Sequence, residues 1–276
     1  MLFGLPGIVI DGCTKRGIGM SGGIRIEDIG GGFSIEVSAD HGFGTDSYLL
    51  AWFAEVKPRQ KACDLGTGCG IIPLLWCRWQ PSVVVTAVEI QKEAVEMTRR
   101  SAARCGVGDR VTIHHADLRD WKRIIEPGSQ DLVAINPPYY PRGSGKLCES
   151  AAARIARHEG EGCSFLDAAC AAYGLLKTGG RFCFCHKPER LDDILKTLDQ
   201  ARLVPKRLVF AHHSPKSEPW LFLCEARKGA SKGIKVLPPF ISTDYHGNPT
   251  EEYLSVYKTE REGCVCRAGW FWWVLR

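Results

Sequence analysis

From Lys61 to Lys228 short runs of β-forming residues alternate with helix-patterned segments, and that order leaves few folds open. "KACDLG" (61–66), "VVVTAVEI" (83–90), "VTIHHAD" (111–117), "DLVAINP" (131–137) and "RFCFCHK" (181–187) read as strands. Between them, "CGIIPLLWCRWQ" (69–80), "QKEAVEMTRRSAARCG" (91–106), "SFLDAACAAYGLLKTGG" (164–180) and "ERLDDILKTLDQARL" (189–203) read as helices. Pro73 falls in a first turn, where a missing N–H costs little, and Gly106 closes the second helix. A Gly-Gly pair is expected to stop the third at residue 180. Right-handed crossovers then imply a parallel sheet covered on both faces. "KRLVFAHH" (206–213) and "PWLFLCEAR" (219–227) are joined by "SPKSE", too short for a crossover, so they should pair antiparallel at the sheet edge.

"IRIEDIGGGFSIEVS" (24–38) reads as a β-hairpin, and "TDSYLLAWFAEV" (45–56) as a helix capped by Thr45 or Asp46. "GASKGIKVLPPFI" (229–241) is expected to be extended and "TEEYLSVY" (250–257) a short helix. The chain thus divides into residues 1–60 with the hairpin and leading helix, a core over 61–228, and a C-terminal extension over 229–276 that packs on the core.

At 276 residues and a net charge of +5 the chain can bury a sizeable core. No apolar run approaches the roughly 20 residues of a membrane span. "MLFGLPGIVI" lacks the basic flank and cleavage site of a signal peptide, so the cytoplasm is expected. There are 13 cysteines. Cys63, Cys69, Cys183 and Cys185 sit where small buried residues would serve, which reads as reduced core thiols. Neither "FCFCH" (182–186) nor "CVC" (264–266) has the paired spacing of a zinc site, so no metal is expected. Residues 200–235 carry eight lysines and arginines against two glutamates, Lys206 and Arg207 among them. Such a stretch can follow a phosphate backbone or serve as a solvated face.

"DLGTGCG" (64–70) joins the first core strand to its helix. Gly66, Gly68 and Gly70 permit positive φ and close backbone approach at the crevice where cofactors bind in open α/β sheets. The dinucleotide fingerprint GxGxxG is not met, because position 71 is Ile71, which opposes a dehydrogenase. Asp64, Glu89 and Asp117 end three successive strands around this loop. They suit an ammonium group, ribose hydroxyls and an adenine amino group respectively. This combination resembles the class I S-adenosylmethionine (SAM)-dependent methyltransferases over Lys61–Lys228. The resemblance implies an α/β, Rossmann-like, seven-stranded, mostly parallel sheet with an antiparallel last strand, here with an N-terminal β-hairpin.

"NPPY" (136–139) is similar to the motif of enzymes that methylate planar nitrogens. An exocyclic amine conjugated to its ring is a poor nucleophile. If the side-chain oxygen of Asn136 and the carbonyl of Pro137 accept its hydrogens, the nitrogen can pyramidalise, and its developing charge meets fixed dipoles. Tyr139 can stack on the base. The motif is shared by DNA adenine, RNA adenine, RNA guanine and protein glutamine methyltransferases. "FGTDSYLLAWF" (43–53), "ARHE" (156–159), "LLKTGGRFCFCHKPERLDDILKTLDQARLVPKRL" and "TEEYLSVY" resemble, in order along residues 24–257, one bacterial family. This is the tRNA(Val) (adenine-N(6))-methyltransferase family, which modifies adenosine 37, beside the anticodon.

The resemblance implies SAM as cofactor and a tRNA anticodon stem-loop as partner. It assigns the cofactor to Asp64, Gly66, Thr67, Gly68, Gly70, Glu89, Ile90, Asp117 and Leu118, bordered by Thr45 and Asp46. It assigns the target to Phe43, Asn136, Pro137, Pro138, Tyr139, Tyr140, Arg157 and His158, with Lys206 and Arg207 on the RNA platform. An anticodon-loop base already lies outside a continuous duplex, which lowers the cost of extrusion. A release-factor glutamine methyltransferase and an RNA-binding homologue without catalysis remain alternatives. The aromatic tail "GWFWWVLR" (269–276) lies outside the match, and oligomeric state is open.

Overall fold

The computed structural model describes residues 18–19, 23–137 and 163–257. The core strands are β4 (Lys61–Leu65), β5 (Val84–Glu89), β6 (Val111–His115), β7 (Gln130–Ile135), β8 (Leu176–His186), β9 (Leu203–His212) and β10 (Pro219–Lys228). They lie in the order β6-β5-β4-β7-β8-β10-β9, with β10 antiparallel to both neighbours and the strands from β6 to β8 parallel. These are the seven expected strands. The last in sequence is not the edge, because β10 inserts between β8 and β9. The far side of β9 is covered by two short parallel strands, β11 (Lys235–Val236) and β12 (Phe240–Ile241), so one sheet has nine strands. The second sheet joins β1 (Ile18–Gly19) to the hairpin of β2 (Arg25–Gly30) and β3 (Phe33–Val37).

Side chains alternate between the faces of a strand, and here the alternation sorts two cores. Leu132, Ala134, Cys183, Cys185, Leu221 and Leu223 share one core with helices α1 (Thr45–Phe53), α2 (Ile71–Trp79) and α3 (Lys92–Arg104). Val133, Ile135, Phe182, Phe184, Phe222 and Cys224 face the other way. They pack on α5 (Phe165–Leu175) and α6 (Leu191–Gln200), which follow the short α4 (Trp121–Ile124). In "FCFCH" the phenylalanines therefore meet Phe165, while the thiols face α1. Cys63, Cys69, Cys77, Cys183, Cys185 and Cys224 are buried thiols.

Two local readings are corrected. Helix α5 ends at Leu175, and β8 begins at once with Leu176 instead of after the Gly-Gly pair. Gly179, with φ of 80°, lies where the β7–β8 register shifts, so the glycines shape an irregular strand start. The N-cap of α1 is Gly44 rather than Thr45 or Asp46, and no side chain caps it.

The C-terminal helix α7 (Glu251–Tyr257) returns to the start of α1. The Tyr257 ring packs on Tyr48 with centroids 4.7 Å apart and planes tilted by 34°, and its hydroxyl donates to Thr45 Oγ1 at 3.3 Å. This contact explains why "FGTDSY" and "EEYLSVY", far apart in sequence, belong to one surface.

Glu36 on β3 fastens the hairpin to α3. Its backbone N–H donates to Ser101 Oγ, and its buried carboxylate receives Arg100 at 2.8 Å and Arg104. Burial alone would raise this carboxyl, but the two guanidinium partners outweigh it and hold it below the usual range. Glu36→Ala should lower unfolding free energy by about 1–3 kcal/mol in urea titration. An unchanged midpoint would show that the hairpin is held by its apolar face alone.

Candidate active site

The C-terminal ends of the parallel strands open into a cleft whose empty space, its open mouth included, is about 800 Å³. Gly66 and Gly68 line it from the glycine loop, and Val88, Glu89, Ile90 and Gln91 from the end of β5. Ala116, Asp117 and Leu118 follow β6, Ile135 and Asn136 end β7, and Cys163 precedes α5. Asp40, His41 and Gly42, just after the hairpin, close another side.

The loop is built from backbone constraints. Gly66 (φ 68°) and Gly68 (φ 56°) have open space where a Cβ would project, so conformation alone demands glycine. Gly70 has a different task. At φ 88° it also packs on Thr98, whose Cγ2 would lie 2.4 Å from an added Cβ. Glu89 ties the loop to β5: Oε2 accepts the Gly68 N–H and Oε1 the Gln91 N–H, both at 2.9 Å. The Gly66 and Thr67 amides donate to the Val88 carbonyl, at 2.8 and 3.1 Å.

Asp64 lies beneath this loop, 1% exposed. Among the described residues, neither of its oxygens has a hydrogen-bond partner of normal geometry, nor has Thr67 Oγ1. Burial pushes the Asp64 carboxyl up to about 7, the nearby Thr67 hydroxyl opposes the rise, and the Glu89 charge adds to it. An unpartnered buried acid under a glycine loop suits a cationic ligand. Asp117 holds Arg119, whose side chain hydrogen-bonds it and keeps its carboxyl below the usual range.

Asn136 follows Ile135, and alternation turns its side chain to the α1 face. There Nδ2 donates to Asp46 Oδ2 at 3.1 Å and to Ser47 Oγ at 3.0 Å. The Cys185 thiol donates to Oδ1 at 3.2 Å. Two oxygens around Nδ2 fix the orientation of the amide, since the flipped form would set Oδ1 against a carboxylate. The arrangement is a cleft with acidic walls and an oriented amide at its rim.

Comparison with known proteins agrees. The model of the methyltransferase small domain matches residues 33–159. The tRNA1(Val) (adenine(37)-N6)-methyltransferase of Porphyromonas gingivalis (strain ATCC 33277) is 33% identical over 190 residues, covering 67% of this chain and 73% of that protein. The chain belongs to the tRNA1(Val) (adenine(37)-N6)-methyltransferase family.

A family protein of the same name from Escherichia coli O157:H7 is 34% identical over 101 residues, 36% of this chain and 41% of its own length. Among solved structures, a predicted O-methyltransferase from Agrobacterium tumefaciens superposes with a TM-score of 0.64. It is 19% identical and covers 79% of this chain and all of its own, a likeness of fold.

Of the residues expected to hold the cofactor, Gly66, Gly68, Glu89, Ile90, Asp117 and Leu118 line the cleft of this family member. Asp64, Thr67 and Gly70 lie behind that lining, and Thr45 and Asp46 sit in the first turn of α1. Phe43 packs on Tyr48 with ring centroids 5.8 Å apart. Pro137 is buried beside Asn136. Pro138, Tyr139, Tyr140, Arg157 and His158 lie outside the described residues. Arg207 departs from its expected place on an open platform. Glu225 at 3.0 Å and Glu55 at 2.9 Å bind its guanidinium, which also lies over Phe53, so its charge is neutralised within the sheet. Lys206 is half-buried and donates to the Ser231 carbonyl. Sequence reasoning missed Asp40, His41 and Gly42, although the small polar run "SADHG" between hairpin and helix was a signal of a loop.

Because the folded state keeps a proton on Asp64 up to about pH 7 that the unfolded chain has released above 3.8, stability should fall as pH rises through that window. Asp64→Asn removes this slope. In ligand-free protein the stability gap between variant and wild type should therefore widen in favour of the variant, by ~4 kcal/mol between pH 3 and about pH 8. Parallel pH profiles in thermal unfolding would show that Asp64 is not protonated in the fold.

Proposed function

We propose that this chain transfers the methyl group of SAM to the exocyclic amino group of an adenine in tRNA, adenosine 37 of a valine tRNA. The carrying observation is the oriented amide of Asn136, followed by Pro137, at the mouth of the glycine-lined cleft in a member of this family. Kinship with proteins named for this activity favours it over glutamine methylation and over a homologue without catalysis. With tRNA as the substrate, we assign the enzyme to the cytoplasm.

In this reading the loop of Gly66, Thr67, Gly68 and Gly70, over Asp64, holds the cationic methionine end of the cofactor. Glu89 and Asp117 take the ribose and adenine, with Ile90 and Leu118 as apolar walls. SAM, when bound, would supply a methyl group on a positively charged sulfur, the N–C bond forming as the S–C bond breaks with its electron pair left on sulfur. Asn136 Oδ1 and the Pro137 carbonyl accept the two amino hydrogens, which draws the lone pair out of conjugation. The methylated nitrogen is then acidic enough to lose its proton to water. Tyr139 is assigned to stacking by its place in the motif.

For the RNA we assign a rim at the same end of the sheet in place of the Lys206–Arg207 pair. Trp220, at the start of β10, stacks on exposed His213 with ring planes 7° apart, and Lys187 Nζ lies 5.7 Å from its ring. Tyr245 is 73% exposed, with Lys216 Nζ 5.8 Å from its ring. Strands lie about 4.8 Å apart, so β10 stands about 10 Å from β7 and Asn136, within two nucleotides' reach. Alternating cations and flat rings fit unpaired bases on a phosphate backbone.

The decisive experiment incubates the protein with labelled SAM and, separately, unmodified tRNA, plasmid DNA and release factor. Label should enter tRNA as N6-methyladenosine; label only in protein would reject the assignment. Asn136→Ala should nearly abolish turnover while SAM still binds, and wild-type rates would remove the amide from the mechanism. Tyr245→Ala and Lys216→Ala should each raise KM for tRNA about 5- to 50-fold with SAM affinity unchanged. An unchanged KM would put the RNA on another face.

A further inference from the structure

We propose that Asp46 is a positioning residue of methyl transfer, acting through the amide of Asn136 and not through the cofactor. The proposal rests on the reading that Asn136 accepts a hydrogen of the target amine. The motif assigns Asp46 to the border of the cofactor pocket, yet its Oδ2 accepts the Asn136 N–H and it is absent from the cleft lining. Ser47, the next residue of the same helical turn, accepts from the same nitrogen.

Three features make this contact specific. An acidic side chain is favoured in the first turn of a helix, where the dipole is positive. Gly44 leaves room for it: an added Cβ at position 44 would stand 2.8 Å from Asp46 Oδ1. Cys185 reaches Oδ1 from the floor of the site, so the amide is located at both ends.

The chemistry follows from the chain of dipoles. As nitrogen attacks the methyl carbon, positive charge grows on the amino group and its N–H bonds polarise toward Oδ1. The amide answers by shifting electron density from Nδ2 to Oδ1, and a carboxylate on the Nδ2 hydrogen stabilises that shift. Hydrogen bonds in series strengthen one another, more so where the last acceptor carries charge. Ser47 holds geometry without charge, so the two acceptors have separable roles.

The test compares wild type, Asp46→Asn, Asp46→Ala, Gly44→Ala and Ser47→Ala in single-turnover methylation of tRNA and in calorimetric titration with SAM. Asp46→Asn should lower the rate about 10- to 100-fold, with SAM affinity within about threefold of wild type. Gly44→Ala should move the same way by displacing the carboxylate. In an Asn136→Ala background Asp46→Asn should cost nothing more, because the relay is already broken. Weakened SAM binding with a preserved rate at saturation would make Asp46 a cofactor contact and overturn the proposal; so would a multiplicative loss in the double variant. A second measurement needs no substrate. One side-chain amide proton of Asn136, identified by its loss in Asn136→Ala, should resonate downfield in wild type and return upfield in Asp46→Ala. That shift in a protein inactive on tRNA would sink the substrate assignment and leave the clamp standing. No shift in an active enzyme would do the reverse.

Discussion

Side chains along a strand point to alternate faces, and the site depends on this constraint. Leu132 and Ala134 face α1, so Asn136 faces it too, as do Cys183 and Cys185 on the neighbouring strand. Only on that face do Asp46 and Ser47 stand ready to receive an amide. A shift of one residue in β7 would turn Asn136 toward α5 and dissolve the arrangement. The cofactor side obeys the same logic: three strands ending at one level deliver Asp64, Glu89 and Asp117 around one loop.

Burial and charge then divide the labour. Glu36, Glu89 and Glu225 are buried acids that each hold elements together. Glu36 receives two arginines from α3, Glu89 receives two backbone amides, and Glu225 receives Arg181, Arg207 and Arg227. Asp64 differs, because its oxygens have no hydrogen-bond partner among the described residues and its carboxyl is raised. An acid kept unsatisfied in a core is destabilising, and such a cost is characteristic of a binding site.

Much of this was legible in the chain. The succession of strands and helices along the chain, the hairpin, the helix ended by Gly106 and the acids at the ends of β5 and β6 all follow from local periodicity and turn chemistry. The misses share one cause. Gly179–Gly180 read as a helix stop because nothing local distinguishes a cap from a strand irregularity. The place of β10 inside the sheet depends on a chain reversal that pairs it with β8 across 36 to 46 residues of sequence, as in His186–Phe222 and Arg181–Arg227. Arg207 looked like a free cation because Glu55, 152 residues away, is invisible to a local reading.

By itself the sequence determined the alternation of elements, the positive-φ glycines at 66 and 68, and the motif that ends β7. These are properties of a few neighbouring residues and their backbone preferences. The tertiary structure decided which oxygens hold the amide of Asn136, 90 residues from Asp46, and which cations stay at the surface. Hydrogen bonds and ion pairs of that range form only where packing brings distant elements together, and packing is set by the whole core rather than by any one segment.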